Sequence, residues 1–370
     1  MSGNGEKIYL MRPSVGEEEL QAVKDVFGSK FLTEGDFTKR FETEFAKYVQ
    51  VEHAVAVTSC TTALELALRV LDIGPGDEVI VPDFTHPATG NVVLSVGAKP
   101  VLVDVDIKTF NTDAEKIAKG ISNKTKAIIP VSLFGNPLDM RPIIELKEKH
   151  GFVIIEDAAC TIGAEIDGKK VGGQADITCF SLHPRKIITT GEGGMLVTND
   201  DELAAKARAF KNFGFVVKNS KMVDIYAGSN YKFSNILAAI GLVQLSKIER
   251  ILSSRIKAAE YYTKLLAGID DVNPPHVSKN TRHTFQSYCV YLKKKGIRDA
   301  LKQHLLQKNI EAQIGTYALH LEPAYNGIKH TDITNSELAY MNTLALPLHG
   351  ELKREQQEYI VRSILDFMRE

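Results

Sequence analysis

Residues 127–157, AIIPVSLFGNPLDMRPIIELKEKHGFVIIED, contain two short β-branched runs separated by a stretch of helical period. AIIPV (127–131) and FVIIED (152–157) have the length and composition of buried strands. Between them, RPIIELKEKHG (141–151) has the spacing of an amphipathic helix. This strand–helix–strand unit predicts two parallel strands that are joined through a helix.

The same alternation extends over about residues 51–199. Further strand candidates are AVAV (54–57), VIVP (79–82), VLVDV (101–105) and DITCFS (176–181), and further helix candidates are TALELALRVL (62–71) and DAEKIAKGI (113–121). Strands that alternate with helices in this way predict an α/β fold whose mostly parallel sheet is covered on both faces.

The rest of the chain predicts a second, smaller α/β domain. A helix is expected at 201–213, and a long helical pattern at 235–266 is broken at IERILSSR (248–255). The later candidates are a strand SYCVYL (287–292), a helix at 297–309, a strand LALPL (344–348) and a helix at 354–368. We therefore expect an N-terminal arm and large domain at 1–248 and a small C-terminal domain at 249–370.

Composition excludes several classes of protein. The 370 residues are 44% apolar and 25% charged, which is typical of a globular chain and is enough for about two to three domains. The net charge is −1 and no long Lys/Arg-rich run occurs, so a nucleic-acid or anionic membrane partner is not expected. The N-terminal residues lack the apolar core of a signal peptide, and we expect a cytoplasmic protein.

The four cysteines predict neither disulfides nor a metal site. They are Cys60, Cys160, Cys179 and Cys289, and they form no C-x-x-C pair. Such sparse cysteines do not provide a disulfide scaffold or a paired zinc site. We expect reduced, mostly buried thiols and no bound metal.

Three loops that follow predicted strands contain candidate functional residues, because ligands of α/β sheets bind at the carboxyl ends of the strands. The first is Thr58–Thr62, TSCTT, just before an Ala/Leu-rich helix. Hydroxyls and free amides at a helix N-terminus form a site for phosphate or another anion. The alternative is that Ser59 or Thr61 only caps the helix.

The second loop begins at Asp157 and the third contains Lys186. A carboxylate at a buried strand end needs a partner, which is either a cationic ring nitrogen of a ligand or another side chain. Lys186 lies among apolar residues close to GEGG (191–194), the environment that Schiff-base chemistry requires, although most lysines are solvated surface residues. GEGG does not fit the dinucleotide-binding spacing, and no P-loop occurs.

Several longer segments, taken together, resemble a known family, the DegT/DnrJ/EryC1/StrS sugar aminotransferases, which use pyridoxal 5'-phosphate (PLP). These segments are FLTEGDFTKRFETEFAKYV (31–49), TSCTTALELAL (58–68), GPGDEVIVPDFTHPAT (74–89), IIEDAA (154–159), FSLHPRKIITTGEGGMLVTND (180–200), GSNYKFSNILAAIGLVQL (228–245) and TYALHLEPAY (316–325). The resemblance implies the PLP-dependent transferase fold of type I, with a large-domain sheet of the seven-stranded type and a smaller C-terminal domain.

The resemblance also implies roles for individual residues. Lys186 forms a Schiff base with PLP and then moves a proton, and Asp157 pairs with the pyridinium nitrogen. The phosphate is expected to contact Thr61, the backbone at Cys60, Ser181, and Asn230 of a second subunit. His86 is expected to stack on the cofactor ring. Cys160 and Cys60 are departures from the family pattern, since relatives commonly have Gln or His and Gly, respectively, at these two positions.

The expected reaction moves the amino group of L-glutamate to a keto group, expected at C4, of a nucleotide-linked deoxysugar. Pyridoxamine 5'-phosphate is the intermediate form of the cofactor in this ping-pong scheme, and a homodimer is expected to share its active sites. The resemblance suggests that the sugar contacts Thr33, Gly35, Tyr317 and His320. Two alternatives stay open: an aminotransferase for keto-cyclitols, and a non-catalytic PLP-binding regulatory protein.

Overall fold

The computed structural model describes residues 6–369 and has an α/β architecture. Within this range the α-helices are α1 (Glu17–Ser29), α2 (Asp36–Val49), α3 (Cys60–Val70), α4 (Pro87–Ser95), α5 (Ala114–Gly120), α6 (Arg141–His150), α7 (Asp201–Lys211), α8 (Asn235–Ser246), α9 (Ile248–Leu266), α10 (Arg298–Gln307), α11 (Thr334–Asn342) and α12 (Arg354–Arg369).

The strands are short, and several of them have only two residues. They are β1 (His53–Val57), β2 (Glu78–Pro82), β3 (Phe84–Thr85), β4 (Lys99–Val103), β5 (Thr125–Ile128), β6 (Val153–Asp157), β7 (Glu165–Ile166), β8 (Lys169–Lys170), β9 (Ile177–Ser181), β10 (Gly194–Thr198), β11 (Phe215–Lys218), β12 (Lys221–Asp224), β13 (Val272–Asn273), β14 (Thr281–Arg282), β15 (Tyr288–Leu292), β16 (Gln313–Ile314), β17 (Tyr317–Ala318) and β18 (Thr343–Leu346).

A seven-stranded sheet with the order β1-β10-β9-β6-β5-β2-β4 forms the centre of the molecule. All neighbours from β9 to β4 are parallel, whereas β10 runs antiparallel to both β1 and β9. The predicted mostly parallel sheet of the seven-stranded type is therefore confirmed. Because parallel strands end at the same edge of a sheet, the loops after β1, β2, β6 and β9 open on one side of the molecule.

Both faces of this sheet are covered, as the near-continuous apolar strands predict. In β1, Val55 and Val57 pack in the core beneath α3, while Ala54 and Ala56 belong to a second core that includes Phe41 of α2. This alternation follows from the two-residue period of a strand. The helices on the two faces fix the strand ends from which the functional side chains project.

The C-terminal part of the chain forms a second, antiparallel sheet with the order β13-β15-β18-β16. Its core includes Tyr262 of α9, Tyr288 of β15 and Ile360 of α12, all of which are buried. The domain boundary at 248/249 stays a prediction; it coincides with the start of α9.

The structure moves some predicted boundaries. The helical pattern at 235–266 breaks at Lys247, one residue before IERILSSR, and gives α8 and α9. The helix expected at 201–213 ends at Lys211, and Phe213 has a positive φ of 60°. Strand β10 was missed because it begins within the glycine-rich run that follows Lys186, where strand propensity is low.

Candidate active site

A cavity of about 490 Å³ opens at the carboxyl ends of β1, β2, β6 and β9. One side, which we name the strand-end wall, consists of Ser59, Cys60, Thr61, His86, Asp157, Cys160, Ser181 and Lys186. The other side, the C-terminal wall, consists of Gln286, Ser287, Gly315 and Thr316. Seven predicted site residues therefore meet in one cavity, although they come from four separate loops.

The N-terminus of α3 forms one end of the strand-end wall. Ser59 caps this helix: its Oγ accepts from the Thr62 amide at 3.0 Å, and its own amide donates to Thr62 Oγ1 at 2.9 Å. The capping interpretation is thus correct for Ser59. The Ser59 cap leaves the first-turn amides of Cys60 and Thr61 without acceptors inside the helix, so these amides can bind an anion.

Gly194 of β10 packs directly against this turn. A Cβ at position 194 would lie 2.3 Å from the Ser59 carbonyl carbon and 2.5 Å from the Cys60 amide nitrogen. Any side chain at this position would displace the turn. The second glycine of the GG pair is therefore required by the close approach of two backbones at the edge of the cavity.

Asp157 is a buried carboxylate at the end of β6, only 5% exposed. Oδ2 accepts from Thr89 Oγ1 at 2.8 Å, and Oδ1 accepts from the Ala159 amide at 3.1 Å. Among residues 6–369, no Lys, Arg or His forms an ion pair with it at 4 Å or less. Both of its hydrogen-bond donors are neutral, so a cationic group of a ligand can pair directly with this carboxylate.

Lys186 is half-buried in the loop after β9, and its Nζ donates to Cys160 Sγ at 3.2 Å. Burial opposes the charge of this amine, but the nearby thiols, with Cys160 first, and the Asp157 carboxylate outweigh burial and raise the pKa of Lys186. The amine is therefore a cation at neutral pH. It has to lose a proton before it can attack a carbonyl carbon.

His86 is the N-cap of α4, and its Nδ1 accepts from the Ala88 amide at 3.2 Å. Burial, together with the charge of Lys186, lowers the pKa of His86. A neutral ring with Nδ1 as an acceptor carries its proton on Nε2. This ring lines the cavity as the predicted stacking residue should.

The cysteines are largely buried, as predicted. Cys60, Cys179 and Cys289 are buried and Cys160 is half-buried, and all four thiols are free. Burial and the negative charge of Asp157 raise the pKa of the Cys60 thiol well above its usual range. Cys60 is consequently a neutral thiol rather than a nucleophile.

Five predicted residues do not line the cavity. Tyr317 lies near it, with its ring 6.1 Å from that of His86. His320 instead donates from its backbone amide, and interacts through Nδ1, with the buried carboxylate of Asp83, each at 2.8 Å. Asn230 is exposed beside Asn212. The other two, Thr33 and Gly35, belong to the segment before α2. The substrate contacts expected of Thr33, Gly35, Tyr317 and His320 stay predictions. The role of Asn230 in a second subunit also stays a prediction.

Sequence reasoning missed Thr89 and the C-terminal wall. Thr89 lies 68 residues before the carboxylate to which it donates, in the first turn of α4, whose N-cap is His86. Gln286 and Ser287 lie beside a segment that Arg255 of α9 binds, with guanidinium donors at 2.9 Å from Phe285 O and 2.7 Å from Gln286 O. No local motif signals either contact.

A second cavity, of about 570 Å³, lies next to α6 and offers no comparable chemistry. Its arginine, Arg141, is already paired with Asp139 and Asp167. In the part of the chain from 6 to 369, no cluster of three or more His, Cys, Asp or Glu side chains could hold a metal ion. Within the same residues, no helix is both long and apolar enough to cross a membrane.

Comparison with known protein families identifies the class of enzyme that contains this cavity. The sequence pattern of the DegT/DnrJ/EryC1/StrS aminotransferase family matches residues 13–365. The chain belongs to this family. It is therefore a PLP-dependent aminotransferase, and the family resemblance in the motif segments is confirmed.

Individual relatives of this DegT/DnrJ/EryC1/StrS aminotransferase cover almost the whole chain. It is 39% identical over 362 residues to a GDP-perosamine synthase of Caulobacter vibrioides, covering 97% of both chains. The crystal structure of the aminotransferase TlmJ from Streptoalloteichus hindustanus matches with a TM-score of 0.93 and 32% identity, covering 98% of this chain and 100% of that one. The protein Spr1654 from Streptococcus pneumoniae in its PLP-form matches with a TM-score of 0.92 and 30% identity, covering 97% of each.

The residues of this aminotransferase cavity fit PLP. The unpaired carboxylate of Asp157 suits a protonated ring nitrogen, the amides of α3 suit a phosphate, and the amine of Lys186 suits an aldehyde. A volume of about 490 Å³ lies within the usual range for small-molecule sites. PLP is the cofactor, and these side chains are the candidates to hold it.

Proposed function

We propose that this aminotransferase moves the amino group of L-glutamate to the C4 keto group of a nucleotide-linked deoxysugar, in a ping-pong reaction. The observation that carries the proposal is the meeting of Lys186, Asp157 and the α3 N-terminus in one cavity. The likeness to a GDP-perosamine synthase supports a nucleotide-linked sugar and favours GDP as the nucleotide.

Bound PLP supplies an electron sink that stabilises negative charge on the carbon next to the transferred nitrogen. Asp157 strengthens that sink because its carboxylate favours a protonated ring nitrogen. Thr89 and the Ala159 amide hold the two carboxylate oxygens, so the charge is fixed in position before the substrate binds.

Lys186 has two tasks in this scheme. Its Nζ would hold the cofactor between reactions, and as a free amine it would take a proton from one carbon and return it to another. The contact between Nζ and Cys160 Sγ gives the released amine a defined position in the wall. Because the raised pKa of Lys186 favours the ammonium form, the released amine has to be neutral when it accepts the proton.

The phosphate is proposed to lie at the α3 N-terminus, within reach of the amides of Cys60 and Thr61 and the Thr61 and Ser181 hydroxyls. His86 is proposed to stack on the ring. A purely regulatory PLP-binding protein would not need Lys186 and Asp157 in one cavity, and their presence there favours catalysis.

We also propose that the active enzyme is a homodimer in which Asn230 completes the phosphate site of the partner. Asn230 is exposed and lies outside the cavity of its own chain, which is the position that a contribution in trans requires. Asn230→Ala is expected to weaken cofactor binding by about 1–3 kcal/mol, the contribution of a hydrogen bond to a charged group.

Subunit mixing tests this arrangement. A heterodimer of Lys186→Ala and Asn230→Ala chains has both lesions in one site and leaves the other site intact, so activity should recover towards half of the wild-type value. Recovery no larger than the sum of the separate variants would show that Asn230 does not act in trans.

The substrates are tested with purified holoenzyme. With glutamate alone, we expect 2-oxoglutarate in an amount equal to the active sites, and with a 4-keto sugar linked to GDP, UDP or dTDP we expect continuous turnover. NMR of the product assigns the aminated carbon. Turnover only with keto-cyclitols, or amination at C3, would contradict the proposal.

A further inference from the structure

Arg185 has a fixed backbone and a free side chain. Its amide donates to His183 Nδ1 at 3.2 Å, and its carbonyl accepts from Gln286 Nε2 at 2.9 Å. The side chain is part of the cavity lining and is exposed. Arg185 directly precedes Lys186 in the loop after β9, and both residues line the same cavity.

The Arg185 guanidinium makes no ion pair and no hydrogen bond with any residue of the range 6–369. Glu311, a carboxylate within its electrostatic influence, is already bound by Lys7 Nζ at 2.7 Å and by the Leu10 amide at 2.9 Å. Glu192 lines the same cavity and lies 3.9 Å from His183. Arg185 thus offers a planar set of donors that the protein itself leaves unused.

Arg185 also lies between two cavities. A smaller cleft of about 100 Å³ adjoins the cofactor cavity and has a largely apolar lining that includes Leu10, Leu346 and Leu348. Both spaces share Arg185 and three residues of the C-terminal wall, namely Gln286, Ser287 and Gly315. A ligand that reached from Lys186 into the cleft would pass the guanidinium.

The proposed substrate has this extended form. Its keto carbon has to reach Lys186, its nucleoside lies at the opposite end, and its diphosphate lies between the two. Guanidinium donors match phosphate oxygens in bidentate geometry. We propose that Arg185 binds the diphosphate of the nucleotide-linked sugar and so aligns the keto carbon with Lys186, an inference that rests on the proposed function.

Glutamate provides the competing anion, because its carboxylates enter the same cavity in the other half of the reaction. Comparing the KM values of the two substrates distinguishes binding of the diphosphate from binding of the glutamate carboxylates. In Arg185→Gln, the KM for the nucleotide-linked sugar should rise about ten-fold to a hundred-fold more than the KM for glutamate. Arg185→Lys should give a smaller rise, since lysine keeps the charge and loses the bidentate geometry.

Binding to the holoenzyme provides a second measurement that needs no turnover. GDP, UDP and dTDP are compared with their nucleosides by calorimetry. The wild type should bind at least one diphosphate more tightly than its nucleoside, and Arg185→Gln should reduce this preference by about ten-fold. Arg250→Gln is the matched control, because Arg250 is exposed on α9 and lies outside both cavities.

A larger KM effect for glutamate, equal effects for both substrates, or no effect would overturn the assignment. The assignment would also be overturned if the wild type bound no diphosphate more tightly than its nucleoside, or if Arg185→Gln kept the same preference for diphosphates. If no nucleotide-linked keto sugar is aminated by the wild type, the proposed function fails, and the calorimetric comparison still decides whether Arg185 binds a diphosphate.

Discussion

In the strand-end wall, the α3 N-terminus and the Lys186 turn are held by contacts within single loops, whereas the C-terminal wall is held by a buried arginine from a separate helix. Ser59 and Thr62 fix the α3 N-terminus from three residues apart, and Lys186 donates its amide to His183 within one turn. Arg255 binds Phe285 and Gln286 from 30 residues away. These two turns therefore depend on local sequence, and the opposite wall depends on packing between distant elements.

In the segment behind the C-terminal wall, packing has to stabilise an unfavourable backbone conformation. Phe285 has a φ of 49°, an unfavourable conformation for a bulky residue. His283 Nδ1 accepts the Phe285 amide at 2.9 Å, while Arg255 binds the Phe285 carbonyl. Burial lowers the pKa of Arg255 to about 10, so its charge is retained at neutral pH without a carboxylate partner. These contacts keep an unfavourable backbone in one position.

Asp157→Asn should show the largest difference between the two walls, because it should reduce activity strongly and leave stability almost unchanged. It removes the charge at the strand end but keeps the shape, and the glutamate half-reaction should slow by about a hundredfold or more. The free energy of unfolding should change little. Stopped-flow spectroscopy of single turnovers gives the rate. The control is Thr89→Val, which removes the hydrogen bonds to Asp157 Oδ2 and Thr85 Oγ1 but keeps the carboxylate, and it should slow the reaction far less. A near-normal rate in Asp157→Asn would exclude the electron-sink role.

Arg255→Met should have the opposite effect, lowering stability while the cofactor stays bound. The carbonyls of Phe285 and Gln286 lose their donors, so we expect the free energy of unfolding to fall by about 1–3 kcal/mol. The absorption of bound PLP should be retained, because no residue of the strand-end wall is removed. Urea unfolding and visible spectra measure the two effects. Unchanged stability would show that Arg255 does not hold this wall.

Cys60→Gly should have the smallest effect. Cys60 is the first residue of α3, so its amide is one of the free amides of the proposed phosphate site. Glycine there costs at most about 1 kcal/mol in helix propensity, and activity should stay within about twofold of the wild type or improve. Cys60→Ala is the matched control. Loss of nearly all activity with PLP still bound would assign a role to the thiol.

The same contrast explains what the sequence could predict. Lys186, Asp157 and the Ser59–Thr61 turn follow strands whose apolar runs are obvious, so their common location followed from the rule for parallel sheets. Thr89 could be found only from the tertiary packing that brings the first turn of α4 to the end of β6. The ring of His320 lies against Asp83, a buried carboxylate whose need for a partner depends on tertiary packing, and its expected contact with the sugar stays a prediction.

The fold was predictable for a similar reason. Strands β2, β4, β6 and β9 are almost wholly buried and have largely apolar runs. Strand β10 follows a glycine-rich loop and runs antiparallel, so neither its composition nor its direction fits the repeated unit. The residues Gly193 and Gly194 are retained there for close packing against Leu182 and Ser59, which a propensity argument does not reveal.

The central claim is that the Lys186 amine carries the cofactor and moves the proton. The most direct measurement is borohydride reduction of the holoenzyme followed by mass spectrometry of its peptides, in parallel with the Lys186→Ala variant. We expect PLP to be attached covalently to the peptide that contains Lys186, and we expect the variant to show no attachment and no glutamate half-reaction. Full attachment of PLP in Lys186→Ala, or attachment at another lysine of the wild type, would contradict the account.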